Sequence, residues 1–343
     1  MAAVAGTAAA IPATVAYAGG WLCPGALTAP GIVDRLEEIY GRHDGFRRVH
    51  AKGVSATGTF TSSGVAAEIC RSRVFARGTF PVIGRFSLSG GVPNQPDDAA
   101  TVRGLALMFV LPGGEQWRTT MVNIPVSLDA TPRGFYERLV ASLPDPHTGA
   151  PNHAAMSAFL ARHPETVAAI GINAAQPRSR RAGFTDSPFW GQNAFRMTNR
   201  NGVTVPVRWT LVPQQSAPLV DPAALQGPNT LFDSLIHEVT HRSPSWSLMI
   251  TVGLPQDPTH DATQLWPPDR ITINAGTVTI STVQTEVAGN ARDINFDPLV
   301  LPEWITPSDD PLLSTRSAVY ARSFARRTAE PKHPSAVQVD IAK

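Results

Sequence analysis

The spacing of apolar positions changes period several times along the chain. "HAKGVSATGTFTSSG" (50–64), "PVIGRFSLSGG" (81–91), "VRGLALMFVLPGG" (102–114) and "TTMVNIPV" (119–126) are short runs rich in β-branched and apolar residues. Several end in glycine-rich turns, which predicts strands. From 131 to 171 the period becomes helical. "TPRGFYERLVASL", "AAMSAFLARH" and "PETVAAIGI" repeat apolar residues at i, i+3 and i+4. Strands return over 191–213, where Asn201-Gly202 is a hairpin-turn signal, and again over 246–254 and 276–283. Shorter helices are predicted over 31–41, stopped by Gly41, and from Asn229 to about Pro244. A last helix covers 309–327, with Ser308 and Asp309 as cap candidates and Pro311 in its first turn. Strand-rich stretches with helices grouped between and after them predict an α+β fold built on a largely antiparallel sheet or barrel.

Composition narrows this picture without redirecting it. Only 16% of the 343 residues are charged, while there are 31 prolines and 27 glycines, so short elements joined by many turns fit better than a helical bundle. A formal net charge of +2 provides no field suited to nucleic acid, and no nucleic-acid partner is expected. The two cysteines, Cys23 and Cys70, match no metal or redox spacing. No charged residue occurs before Asp34, and Ala16-Tyr17-Ala18 has the form of a signal-peptidase site, although the basic region that usually precedes one is missing. Residues 1–20 are therefore read as an export signal or its remnant, with a floppy tail as the plain alternative. That reading implies a periplasmic or exported protein, with membrane anchoring through the N-terminus as a further option and a cytoplasmic location as the alternative.

"HEVTH", His237 to His241, has the H-E-x-x-H form of zinc metalloproteases. Leu231, Phe232, Leu235, Ile236 and Val239 define the apolar side of the surrounding helix, and both histidines fall roughly opposite. A catalytic zinc helix needs its histidines turned inward toward a third ligand. The extended motif would require glycine at 244 and histidine at 247, where the chain has Pro244 and Ser247. A solvated helical face is the expectation.

A different constellation joins "GFRRVHAKGVSATGTF" (45–60) to "PSDDPLLSTRSAVYARSFARR" (307–327). In the second segment Arg316 and Tyr320 are i, i+4 neighbours, and Arg327 returns to the same stripe. On spacing alone, an ordinary exposed helical face explains that stripe better. "RVHAKG", "FPVIGRFSLSGG", "TVRGLALMF", "VNIPV" and "DPLLSTRSAVYARSFARR" together, in this order, resemble the haem catalase superfamily, specifically its minimal, catalase-related peroxidase branch. The resemblance runs from about residue 20 to residue 328. It implies a catalase-like antiparallel eight-stranded β-barrel with peripheral helices, formed as one haem domain over 21–330 with a tail over 331–343. It further implies a minimal form, expected to lack the C-terminal helical region and flavodoxin-like domain of the large catalases.

Carried over residue by residue, the resemblance makes Tyr320 the proximal ligand of a haem b iron. A tyrosine has an unperturbed pKa of about 10, and both ferric iron and the Arg316 guanidinium one turn away favour its phenolate. His50 would be the distal acid–base group, Ser87 would orient its imidazole, and Asn123 would hold the peroxide. Arg47, Arg85 and Arg327 match positions that pair with haem propionates; Lys52 reads as structural. After Asn123-Ile124-Pro125 the aromatic wall of the large catalases gives way to "VSLDATPRGFY". The expected activity is therefore that of a peroxidase acting on organic hydroperoxides and hydrogen peroxide with a small-molecule electron donor, with weak or absent dismutation. A hydroperoxide isomerase or dehydratase on the same fold is the nearest alternative. A non-catalytic haem-binding protein and the zinc protease are the others. The resemblance also implies a homo-oligomer, a dimer or tetramer.

Overall fold

A computed structural model describes residues 27–176 and 183–339. Cys23 and the apolar segment over 1–20 lie outside those residues. The strands are β1 (Gly53–Ser62), β2 (Gly78–Leu88), β3 (Arg103–Val110), β4 (Gln116–Val122), β5 (Phe189–Trp190), β6 (Phe195–Thr198), β7 (Thr204–Pro213), β8 (Ser245–Val252), β9 (Thr272–Gln284) and β10 (Ile305–Pro307). The helices are α1 (Ala29–Tyr40), α2 (Pro132–Ala141), α3 (His153–Arg162), α4 (Pro164–Ala174), α5 (Thr230–His241) and α6 (Pro311–Ala329). Strands pair in the order β7-β5-β4-β3-β2-β1-β9-β8, and β8 pairs back onto β7, so eight antiparallel strands close into a barrel. Closure leaves these strands without open edges, while β6 and β10 extend the sheet at one side. β5 and β10 are too short for any periodic signal, and sequence reasoning had not separated them.

Alternation along the strands decides where the site can form, because successive side chains point to opposite faces. Phe80, Val82, Phe86 and Leu88 of β2, Leu105, Leu107 and Phe109 of β3, and Trp117 and Met121 of β4 all turn into the barrel core. Large rings fill it. Phe109 stacks on Trp117 at 4.7 Å between centroids, and Trp209 meets Trp117 edge-on at 5.1 Å. The Trp209 indole donates to Thr119 Oγ1 at 2.9 Å, which satisfies its one buried polar atom. With the barrel interior packed, any pocket must lie on the outward face, between the strands and the helices. The hairpin at Asn201-Gly202 forms as expected, with Gly202 at φ 79° and Asn199 Oδ1 accepting from the backbone of Asn201 and Val203.

Two helix starts differ from expectation. The cap of α6 is Asp310, not Ser308 or Asp309: its Oδ1 accepts from Leu312 N at 2.9 Å, while Ser308 Oγ accepts from Asp310 N. Asp309 instead bonds Thr259 and reaches Arg196 on the surface. At α5, Asn229 occupies the cap position but makes no side-chain cap bond. Asp97 Oδ2 does so from a distant loop, accepting from Leu231 N and Phe232 N. The other oxygen of Asp97 takes the Lys52 ammonium at 2.6 Å, and Lys52 is 2% exposed. Lys52 is thus a structural tie between β1 and α5. Within residues 331–339, read from sequence as tail, 331–334 are exposed, while Val337 is fully buried, Arg292 donates to His333 O and Val339 N donates to Thr285 Oγ1.

Candidate active site

On the outward face of β2–β4, walled by α1, α2 and α6, lies a cavity of about 440 Å³. Arg47, His50, Arg85, Ser87, Arg316, Tyr320 and Arg327 all line it. Residues from three sequence regions, 47–50, 85–87 and 316–327, are therefore brought to one place. Its apolar wall includes Leu36, Val49, Leu128, Phe135, Leu139 and Val319.

His50 enters from a strained turn. Its φ is 57°, in the left-handed region that costs a non-glycine residue about 1–3 kcal/mol and persists only where surroundings enforce it. Arg85 Nη1 donates to His50 O at 2.8 Å and Nη2 donates to Ala51 O at 3.1 Å, fixing both carbonyls of the turn. Ser87 Oγ lies 3.1 Å from His50 Nδ1. Strand register explains the fit beneath the ring: Gly53, Ser87, Gly104 and Val122 are consecutive partners across β1 to β4. A Cβ on Gly104 would come within 3.0 Å of His50 Cε1, so a side chain there would push the imidazole away. Burial, and then the charges of Arg85, Arg316 and Arg47, press the imidazole pKa down to about 3. At neutral pH this ring is uncharged and able to accept a proton.

Arg85 and Arg47 share one carboxylate, that of Glu286, and Arg327 lies beside it. Arg85 makes a two-bond fork to Glu286, through Nε to Oε1 and Nη2 to Oε2, both at 2.8 Å. Arg47 Nη1 donates to Glu286 Oε1 at 3.1 Å, and its Nη2 donates to the carbonyls of Ala291 and Ile294. Arg327 donates to the carbonyls of Arg292 and Ile294. Burial would raise the Glu286 pKa, yet Arg85, Arg47 and Arg327 outweigh it and hold the carboxyl down to about 2. Burial, followed by repulsion from Arg85, lowers Arg327 to about 10, and burial, then Arg85 and Arg327, also push Arg47 well below the ordinary guanidinium value. Two buried guanidiniums, Arg85 and Arg327, and the partly buried Arg47 against one buried carboxylate leave two positive charges without counter-charge; neighbouring Arg292 and Asp293 add one of each sign. Uncompensated buried charge is costly, so this wall is suited to a ligand carrying two carboxylates.

Across the cavity, α6 presents Tyr320 and, one turn earlier, Arg316. Arg316 Nη2 donates to Thr120 Oγ1 at 2.7 Å, and Nη1 donates to Asn193 Oδ1. Asn193 Nδ2 in turn donates to Asp310 Oδ2 at 2.7 Å. The cap of α6 therefore also anchors the arginine beside Tyr320.

Asn123 is placed differently from the other expected residues. Val122 and Ile124 line the cavity, whereas the Asn123 carboxamide Oδ1 accepts from Arg103 N at 2.8 Å. Sequence reasoning missed Glu286, Asn193, Asp310 and Gly104. Only Gly104, inside the R-G-x-A segment, carried a local signal. On α5 the His237 and His241 rings stack on each other at 3.9 Å, His241 is exposed, and Glu238 is fully buried in an ion pair with Arg242. Among the described residues no group of three or more His, Cys, Asp or Glu side chains is disposed to hold a metal ion. The H-E-x-x-H residues thus stand on α5 with their glutamate already engaged by Arg242.

Comparison with known proteins agrees with this geometry. Solved structures of a bacterial and a fungal catalase superpose with TM-scores of 0.72 and 0.71, at 19% and 20% identity, over 88% and 82% of this chain. The chain spans about three-fifths of either. The family model described as Catalase matches residues 36–335, and the chain belongs to the catalase family. Within that family it is an oxidoreductase of the minimal, catalase-related peroxidase branch. It is 37% identical over 306 residues to a catalase-related peroxidase of Synechococcus elongatus, covering 88% of this chain and 89% of that one. A catalase-related peroxidase of Mycolicibacterium paratuberculosis is 30% identical over 89% of this chain and 96% of its own length.

Proposed function

We propose that the protein is a haem-dependent peroxidase that reduces organic hydroperoxides and hydrogen peroxide with small one-electron donors, and that its dismutation of hydrogen peroxide is weak. The observation that carries this reading is a convergence on one cavity: an imidazole seated on Ser87, three arginines gathered around a single carboxylate, and a tyrosine preceded one turn by an arginine.

Catalases normally bind haem, and the donor set fits it. Tyr320 would ligate the iron, and Arg47, Arg85 and Arg327 would pair with the two propionates through guanidinium–carboxylate bonds suited to burial. Bound there, haem would supply an iron able to exchange electrons with a peroxide, its potential tuned by the tyrosine ligand. The chain's own residues do the proton work. With Nδ1–H donating to Ser87, His50 presents Nε2 as an acceptor, takes the proton from one peroxide oxygen and delivers it to the departing oxygen. Burial, followed by the charges of Arg85, Arg316 and Arg47, keeps His50 uncharged and so leaves Nε2 free to accept. Arg316, anchored by Thr120 and Asn193, would stand one helical turn from the ligating oxygen of Tyr320. Asn123 is not among the residues that line the cavity and its oxygen is engaged by Arg103 N, so a role in holding peroxide would fall to its amide nitrogen alone.

A wall of Ser127, Leu128 and Phe135, with Leu36 and Leu139 beside it, supports entry of organic hydroperoxides. The test is steady-state turnover of an alkyl hydroperoxide with a phenolic donor, set against oxygen evolution from hydrogen peroxide. Donor oxidation should dominate; oxygen evolution far outpacing it would overturn the proposal, and an isomerised lipid hydroperoxide would replace it with the isomerase reading. Export and assembly belong to the same proposal. No helix among the described residues is long and apolar enough to cross a membrane. Fractionation of cells expressing the full chain tests export, and sedimentation tests the dimer or tetramer.

A further inference from the structure

We propose that Glu286 is a positioning residue for His50: through Arg85 it holds the left-handed turn from which the imidazole enters the cavity. The inference deepens the functional reading above and rests on it for the role of His50. Its geometry stands apart from that reading.

The argument begins with the hydrogen bonds of Arg85, a side chain 2% exposed in the middle of β2. Of its five N–H groups, Nε and one on Nη2 go to Glu286, the other on Nη2 goes to Ala51 O, and one on Nη1 goes to His50 O. A single N–H on Nη1 is left for a ligand. Arg85 is thus mainly a brace, with Glu286 at one end and the His50–Ala51 backbone at the other. His50 needs one, because its φ of 57° is a conformation that local preference disfavours. Ser87 and Gly104 seat the ring from below, but neither touches the turn itself. Space at the turn is equally tight: a Cβ on Gly53 would lie 2.6 Å from the Arg85 guanidinium carbon. The guanidinium therefore has one orientation in which both carbonyls are reached, and the two-bond fork to Glu286 selects it. Glu286 comes from the segment just after β9, 201 residues from Arg85, so the turn is set by barrel closure and not by its own sequence.

Loss of the brace has a sign that electrostatics alone cannot imitate. The charged groups facing His50 are Arg85 from β2, Arg316 from α6 and Arg47 from the preceding loop. Removing a carboxylate from among these arginines, with the ring unmoved, makes the surroundings more positive and depresses the imidazole pKa further. Release of the turn instead moves the ring toward water and its pKa up toward about 6.5.

The test uses the full-length protein as purified, with Glu286→Gln and the charge-retaining Glu286→Asp. Diethylpyrocarbonate, which modifies accessible uncharged imidazoles, is applied and the modified sites are quantified by mass spectrometry, with exposed His241 as internal reference. In Glu286→Gln the rate at His50 relative to His241 should rise about tenfold or more, and Glu286→Asp should fall between it and the wild type. The pH profile of peroxide reduction should gain an inflection between roughly 6 and 7 that the wild type lacks. An unchanged His50 modification rate in a folded Glu286→Gln protein overturns the proposal. Should circular dichroism find that variant unfolded, an unchanged rate in Glu286→Asp overturns it equally. If the wild type reduces no peroxide, the functional reading falls, while the modification rates still decide whether Glu286 places His50.

Discussion

His50 and the His237–His241 pair are both histidine settings that suggest chemistry from sequence, and they differ in nearly every physical respect. His50 sits on a strained turn, is walled by three arginines and has its pKa pressed down to about 3. His237 and His241 ride a regular helix, stack on one another, and leave the glutamate between them buried and spent on Arg242. The second pair has the better-known motif; the first has the environment. Strain, desolvation and converging charge are costly features that folded chains retain where surroundings enforce them, and they concentrate at functional sites. A motif on a solvated helical face costs nothing to keep and carries correspondingly little information.

The contrast can be broken most sharply at His50. His50→Ala should lower the rate of peroxide reduction by about 10²- to 10⁴-fold in stopped-flow or steady-state assays while leaving haem absorption in place. A loss below threefold would reduce His50 to a structural residue. Its titration makes a second prediction. Between about pH 6.5 and 3 the unfolded chain takes up a proton at this position that the folded protein does not. His50 therefore lowers stability as pH falls through that window and is neutral above it. Acid unfolding of His50→Gln should begin at lower pH than in the wild type; coincident curves would contradict the buried, uncharged imidazole.

Effects on the α5 side should be smaller and confined to stability. Glu238→Gln removes the buried charge that accepts from Leu219 N and from Arg242, and should cost about 1–3 kcal/mol in urea unfolding with turnover intact. The double substitution His237→Ala with His241→Ala should change peroxide turnover by less than twofold. Zinc bound stoichiometrically to the wild type and lost in this variant would reverse the whole comparison.

Much of this architecture was legible because its signals are local. Runs of β-branched and apolar residues ending in glycine-rich turns marked the long strands, helical spacing marked α2, α3 and α4, and stop and capping residues marked α1 and α6. The Arg316–Tyr320 spacing needed only one helix. Resemblance in ordered segments then linked His50, Ser87 and the arginines to that helix. Partners fixed by closure of the barrel were not legible. Glu286 meets Arg85 across 201 residues, Asn193 meets Arg316 across 123, and Asp97 caps α5 from 134 residues away. No window of sequence contains both members of any such pair. The cap of α6 was missed for a subtler reason: Ser308, Asp309 and Asp310 are all competent caps, and the choice of Asp310 depends on its second oxygen holding Asn193.

The central claim is that Tyr320 and the arginine wall form a haem site. It is tested most directly by the absorption spectrum of the purified full-length protein beside its Tyr320→Phe variant. The account predicts a high-spin ferric haem spectrum in the wild type that is lost or transformed when the phenol oxygen is removed. A colourless wild-type protein after haem supplementation, or a spectrum unchanged by Tyr320→Phe, would contradict it.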